Sequence, residues 1–262
     1  MQPIEQTKKP NICIKPPFFK NLELVYSKPI MILLLIFLPY FVAFIIGNKY
    51  ILPFITSIPA SIVLFRHLKN SKPFIAVLDM LLYVFWLSVI GIVLMTYFSE
   101  RAEHVILNGK NYVAEMSSWL FGEASKEGSP SLFIPEHLTH MVIVAVSSLI
   151  SCGFLALLFG TVLMNYMNYY VSVLIIMTGN PILSVIGWHP WSVLRVISFI
   201  ILGCALAWFL TSKITGSPKP RMRAVILMLM LSIILEAADI ILKTTIGSIW
   251  RDLILSFFGL VM

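Results

Sequence analysis

Charge is what this sequence has least of. Aspartate, glutamate, lysine and arginine make up 12% of its 262 residues, about half the share of an ordinary soluble domain. Hydrophobic residues make up 59%, and the mean hydropathy is +0.92. So few charges cannot cover a water-facing surface, which excludes a soluble globule.

Other absences narrow the chemistry. The three cysteines, Cys13, Cys152 and Cys204, show neither paired nor CxxC spacing, which excludes a disulfide framework and a cysteine zinc site. No Walker A loop is present, so ATP hydrolysis by this chain is excluded. HExxH, GxSxG and the dinucleotide fingerprint are missing too, as is any arginine-rich helix that would sense voltage. The first apolar run follows a polar stretch and lacks an A-x-A-like site, so a cleavable signal is not expected.

What is present is a series of long apolar runs. A helix needs ~20 mainly apolar residues to cross the hydrocarbon core. Irregular backbone facing lipid would leave peptide groups unsatisfied, so crossings are helices or closed barrels. The runs are continuous and do not alternate with period two, which selects helices. The expected fold is an all-α polytopic membrane bundle of six or seven transmembrane helices. Spans are expected near 29–46, 50–65, 74–98, 137–165, 169–186, 192–211 and 224–245. A last apolar piece, Ile249–Met262, is too short to cross. Pro53 and Pro59 interrupt the second span, and Thr178-Gly179-Asn180-Pro181 breaks the fifth. Broken helices often form substrate sites in transporters.

Residues 1–28 form a basic N-terminal segment, in which Pro17–Tyr26 reads as a short amphipathic piece or a solvated tail. Residues 29–262 form one transmembrane domain with a single long loop at 99–136. Lysine and arginine concentrate in 1–28, 66–72 and 213–223, whereas 99–136 is acid-rich. The positive-inside rule then puts the N-terminus in the cytoplasm and 99–136 outside, most simply across a cell membrane. The net charge of +7 sits beside the spans, so topology explains it and a nucleic-acid partner is not expected. The expected partner is the lipid bilayer.

Four groups of residues are candidates for function or assembly. Ser148, Cys152, Ala156 and Gly160 recur every four residues, a small-residue row through which a helix or a partner subunit can approach closely. Glu236 and Asp239, three apart in the seventh span, share a face that Lys243 continues. Arg195 enters the sixth span at similar depth, as a partner for either acid. Charges in a bilayer face the protein interior and mark ion pairs, proton relays or substrate paths. His137 and His140 read as interfacial histidines at the start of the fourth span; because they share a helix face they are also, with His189 in another outer turn, the candidate ligands of any zinc, copper or haem iron. Asp79, near the cytoplasmic end of the third span, is expected to find a tyrosine, asparagine or basic partner, or as a path candidate to act as a gate or proton acceptor. Asn180, in the break of the fifth span, is a further path candidate. The run Asn165–Tyr170 reads as an interfacial aromatic belt.

The strings Ser151-Cys152-Gly153 and Ser192–Val196, which contains Arg195, are similar to the cysteine and arginine elements of the exosortases and archaeosortases. That family places a histidine after the arginine, and no histidine follows Arg195 here. Its activity is not carried over. The function expected from these features is that of a permease, or a membrane subunit of a transport system, for an unidentified solute. The alternatives are a non-catalytic assembly subunit and a membrane-embedded enzyme or redox subunit with an outer histidine site.

Overall fold

In the computed structural model the described residues are 29–259, with side chains from Leu34 onward. The basic segment 1–28, with its amphipathic Pro17–Tyr26 piece, and residues 260–262 lie outside them.

Ten helices follow in order: α1 Pro29–Ile46, α2 Ile51–Lys69, α3 Pro73–Tyr97, α4 Ser99–Val105, α5 Gly109–Leu120, α6 Pro130–Ser151, α7 Phe154–Thr178, α8 Leu183–Ile186, α9 Pro190–Thr215 and α10 Met222–Ser256. No strand occurs among the described residues. Six helices (α2, α3, α6, α7, α9 and α10) are long and apolar enough to cross a membrane, and α1 is a shorter apolar helix. Rows of exposed large apolar side chains run along them, among them Phe37, Phe41, Leu78, Phe85, Val142, Ile150, Ile226 and Ile233. A surface of that kind is what lipid requires and water forbids. The chain is a multi-pass membrane protein.

Successive long helices reverse direction, so the bundle has two ends. Residues 66–72 and 216–223 share one, called here the basic end. The α4–α5 segment and the α7–α9 connection share the other, the loop end. α7 is the most enclosed helix and packs on α2, α3, α5 and α6, while α9 packs along α10.

The heart of the α1–α3–α7 contact is polar. Tyr40 donates to Asn165 Oδ1 at 2.5 Å, and Asn168 Nδ2 reaches the Leu87 carbonyl at 3.4 Å. Gly91 makes the approach possible. A Cβ built there would lie 2.5 Å from the Tyr40 hydroxyl oxygen and 2.9 Å from Asn168 Nδ2. The run Asn165–Tyr170 is therefore not an interfacial belt. Asn165, Asn168, Tyr169 and Tyr170 are buried in the middle of α7.

Three other expectations about the spans are corrected. α2 runs unbroken through Pro59, and Tyr83 donates to the Thr56 carbonyl in the turn before it. The fourth and fifth spans meet at Cys152-Gly153 and not near residue 165. Both residues are left-handed, with φ of 53° and 91°, so each stops a helix in a stretch that composition alone reads as continuous. Thr178–Pro181 is consequently the end of α7, with Gly179 left-handed, and not a mid-membrane break. Finally, α10 continues for 35 residues to Ser256 and absorbs most of the apolar piece expected to lie apart.

The Cys152-Gly153 turn is recessed. A Cβ on Gly153 would touch Leu64 and Ala207. Those residues lie five and eight positions inside the basic ends of α2 and α9, or roughly 7 and 12 Å by helical rise. This turn needs no lysine or arginine because it does not reach the surface that the other connections reach.

Gly91→Ala is expected to lower the thermal midpoint of the detergent-purified protein, at a cost of about 1–3 kcal/mol for overpacking. The same change in a Tyr40→Phe background should cost clearly less, since the hydroxyl it strikes is gone. Equal losses in both backgrounds, read by differential scanning fluorimetry, would refute this account of the contact.

Candidate functional site

The loop-end half of the α6–α9–α10 interface gathers most of the buried charge. α10 presents Ser232, Glu236, Asp239 and Lys243 along one face, at the spacing that stacks side chains on a helix. All four are buried. α9 supplies Arg195 and Ser198, and α6 supplies His137.

Asp239 is wholly buried and is gripped by Arg195, with Nε 3.0 Å from Oδ2 and Nη2 3.1 Å from Oδ1. This two-point fit of guanidinium to carboxylate is the strong form of ion pair. His137 Nδ1 lies 3.2 Å from the same Oδ2. α6 starts at Pro130, seven residues earlier than composition suggested, so His137 is buried two turns into the helix and is not an interfacial histidine. Ser198 on α9 spends its hydroxyl on the Ser232 carbonyl at 2.9 Å and the Ser232 hydroxyl at 3.0 Å. Glu236 is only 3% exposed, and neither of its carboxylate oxygens has a hydrogen-bond partner. One donor atom each from His137, Glu236 and Asp239 lie within 4.8 Å of one another.

Above this cluster sits a cavity of about 810 Å³, open at the loop end. The segment Gly122–Pro130 lines one wall, and Lys243, Gly247 and Arg251 of α10 line the other. Its floor is an ion pair between Lys243 and Glu127, with the Lys243 ammonium 3.9 Å above the centre of the Phe133 ring. Burial opposes the charge on Glu127, but the Lys243 ammonium and, behind it, the Arg195 guanidinium hold this carboxyl below the ordinary carboxylate range. Asp239 lies one turn beneath Lys243 and Glu236 nearly two, about 6 and 10 Å down the helix.

Below the cluster the polar trail ends at the Ser198–Ser232 pair. Val144, Phe199 and Leu202 close in next. Beyond them is an apolar cavity of about 80 Å³ lined by residues such as Leu64, Met80, Leu157 and Cys204.

The structure brings Arg195, Glu236 and Asp239 together with His137, and leaves the other candidates elsewhere. His140 packs its ring on Phe159. His189, almost fully buried, stacks on Trp191 with ring centres 4.8 Å apart and has Trp119 and Tyr170 at its edges. Burial pushes its imidazole down to about 3, so it is neutral at physiological pH. The three histidines do not converge on one point. His137 instead faces the two acids of α10. Asp79 pairs with His67 Nε2 at 2.7 Å near the basic end. Asn180 is a turn residue whose Oδ1 accepts from the Ile182 amide at 3.0 Å. The small-residue row is not a row, because Ser148 is on α6, Ala156 and Gly160 are on α7, and Cys152 is the turn between them. Cys152 also lies at the opposite end of the bundle from Arg195, which separates the two elements of the exosortase-like likeness.

Glu127 was not singled out from the sequence. It is one of six acids in the stretch 99–136, 116 residues from its partner. The available signal was Lys243 itself, a cation on a helix face where Arg195 takes Asp239.

Comparison with protein-family models, with curated proteins and with solved structures yields no match. Function therefore has to be inferred from this cluster itself.

Arg195→Met strands Asp239 as a lone buried charge and is expected to cost about 3–5 kcal/mol. Adding Asp239→Leu should return most of that stability, because an apolar pair replaces an ionic one. A double variant no more stable than the single, by thermal midpoint in detergent, would contradict the pairing.

Proposed function

We propose that this chain is a permease, or the membrane subunit of a transport system, that takes a small solute from the extracytoplasmic side, with Glu236 as the site of a coupling cation. The observation that carries this reading is the unpartnered carboxylate of Glu236 beneath a polar vestibule. A charged group without a partner in a bilayer interior costs several kcal/mol. Lys243 with Glu127 is neutral, and Arg195 with Asp239 is neutral. Glu236 is the charge left over, so the cluster is neutral only with one positive charge added. A proton or a small cation entering by the vestibule supplies it.

The asymmetry of the bundle supports the same reading. Polar groups lead inward from the loop end and stop at an apolar layer. A carrier opened to one side is organised in this way, with a site near the middle of the membrane and a seal on the far side. The Lys/Arg bias supports assigning the loop end to the extracytoplasmic face.

Two experiments test this. With reconstituted vesicles holding a trapped pH dye, a panel of amino acids, small organic acids and amines is expected to contain a solute that moves protons with it. Glu236→Gln should reduce that movement at least tenfold while the protein remains monodisperse, and unchanged movement would defeat the proposal. For orientation, a membrane-impermeant maleimide should label Ser125→Cys in intact cells and Ser217→Cys only after permeabilisation. Labelling of both from one side would overturn the assignment.

A further inference from the structure

We propose that His137, Glu236 and Asp239 form a binding site for one divalent transition-metal ion of the zinc class. This rests on the same cluster as the transport reading and names the cation that the cluster takes.

Three observations carry it. The first is the unpartnered carboxylate. Neither Glu236 oxygen has a hydrogen-bond partner although the residue is 3% exposed, and the nearby Ser198 hydroxyl is spent on Ser232, so a strong ligand is turned inward. The second is the relation between His137 and Asp239. Nδ1 and Oδ2 are 3.2 Å apart, yet the ring nitrogen makes no hydrogen bond. Two donors that each sit about 2.1 Å from one ion, separated by an angle of about 100°, lie about 3.2 Å from each other. The nitrogen and the oxygen stand at the spacing of neighbouring ligands. The third is that the donor atoms of all three residues fall within 4.8 Å of one another.

The surroundings fit a metal as well. Arg195 binds Asp239 from the side, orienting the carboxylate while Oδ2 keeps a lone pair for an ion. This is the supporting role that partners behind metal ligands commonly play. Both nearby cations are already neutralised, Arg195 by Asp239 and Lys243 by Glu127. An ion in the site therefore meets one uncompensated negative charge, that of Glu236.

The ligand set selects the class of ion. Calcium and magnesium prefer six or more oxygens, many of them water in the case of magnesium. One imidazole and two carboxylates suit zinc and its divalent neighbours. Three protein ligands leave a fourth position. With a divalent ion, two carboxylates and Arg195, the local charge sums to about +1, so the fourth ligand is an anion or a polarised water reached from the vestibule.

The test uses the full chain in lipid nanodiscs, stripped with EDTA and then equilibrated with Zn²⁺ or Co²⁺. After desalting, elemental analysis is expected to find one metal per chain, and bound Co²⁺ should show the visible absorption of a low-coordinate site. Glu236→Gln and His137→Asn should each weaken binding by about 100-fold or more, since losing even a residue behind the ligands costs 10- to 100-fold. His140→Asn and His104→Asn should leave it unchanged. Zn²⁺ should also raise the thermal midpoint of the unaltered protein, a readout that does not depend on any variant folding. No metal retained by the unaltered chain, or retention that survives Glu236→Gln with His137→Asn, overturns the proposal. Absent metal with proton movement still dependent on Glu236 removes this site and leaves the transport reading standing. Bound metal with movement indifferent to Glu236 does the reverse.

Discussion

Neither Arg195 nor Asp239 can face lipid alone, and the bond between them organises the loop-end half of this bundle. An isolated charge in a bilayer costs several kcal/mol, so the two helices that carry them have to meet at this register. That meeting sets the rest. It places Glu236 one turn nearer the basic end on the same face of α10, and Lys243 one turn nearer the loop end. It also brings α6 close enough for His137 to reach Asp239. The Ser198–Ser232 hydrogen bonds continue the same α9–α10 seam below it.

The loop-end segments are then held where they can cover the cluster. Glu127 reaches Lys243 from the short connection between α5 and α6. Trp119 of α5 packs against His189 and Trp191, and so fixes the vestibule wall to the start of α9. Trp250 of α10 donates to the Ile186 carbonyl at 3.0 Å and ties the third side. A neutral His189 suits this place, because a charged imidazole inside a cage of aromatic rings and apolar chain would need a partner it does not have.

The architecture was largely readable from composition. Seven apolar runs became six long apolar helices and the shorter apolar helix α1, which matches the expected 29–46 at both ends. What stayed hidden has local causes. The turn at Cys152-Gly153 has neither a charge nor a proline to mark it, and the recess explains why it needs neither. The seventh span was expected to end at 245, but α10 runs on without a break to Ser256. Pro59 looked like a break, but helix α2 passes through it. Of the candidate site, the acids of α10 and Arg195 were visible because charges in apolar runs stand out. His137 was visible as a histidine, but composition began its helix seven residues late and so placed it at an interface. The Glu127–Lys243 pair joins positions far apart in the chain, and no spacing rule reaches that far.

α10 is one continuous rod of 35 residues, roughly 52 Å long, against a hydrocarbon core of about 30 Å. Its loop-end tip carries Arg251 and a wall of the vestibule, while its middle carries Glu236 and Asp239. An unbroken helix links tip and middle as a single rod. A tilt of roughly 10° about the basic end would sweep the tip by about 9 Å and the acids by less than half as much. The helix is thus a lever, and whatever presses on its exposed tip is geared down into a small displacement at the buried carboxylates.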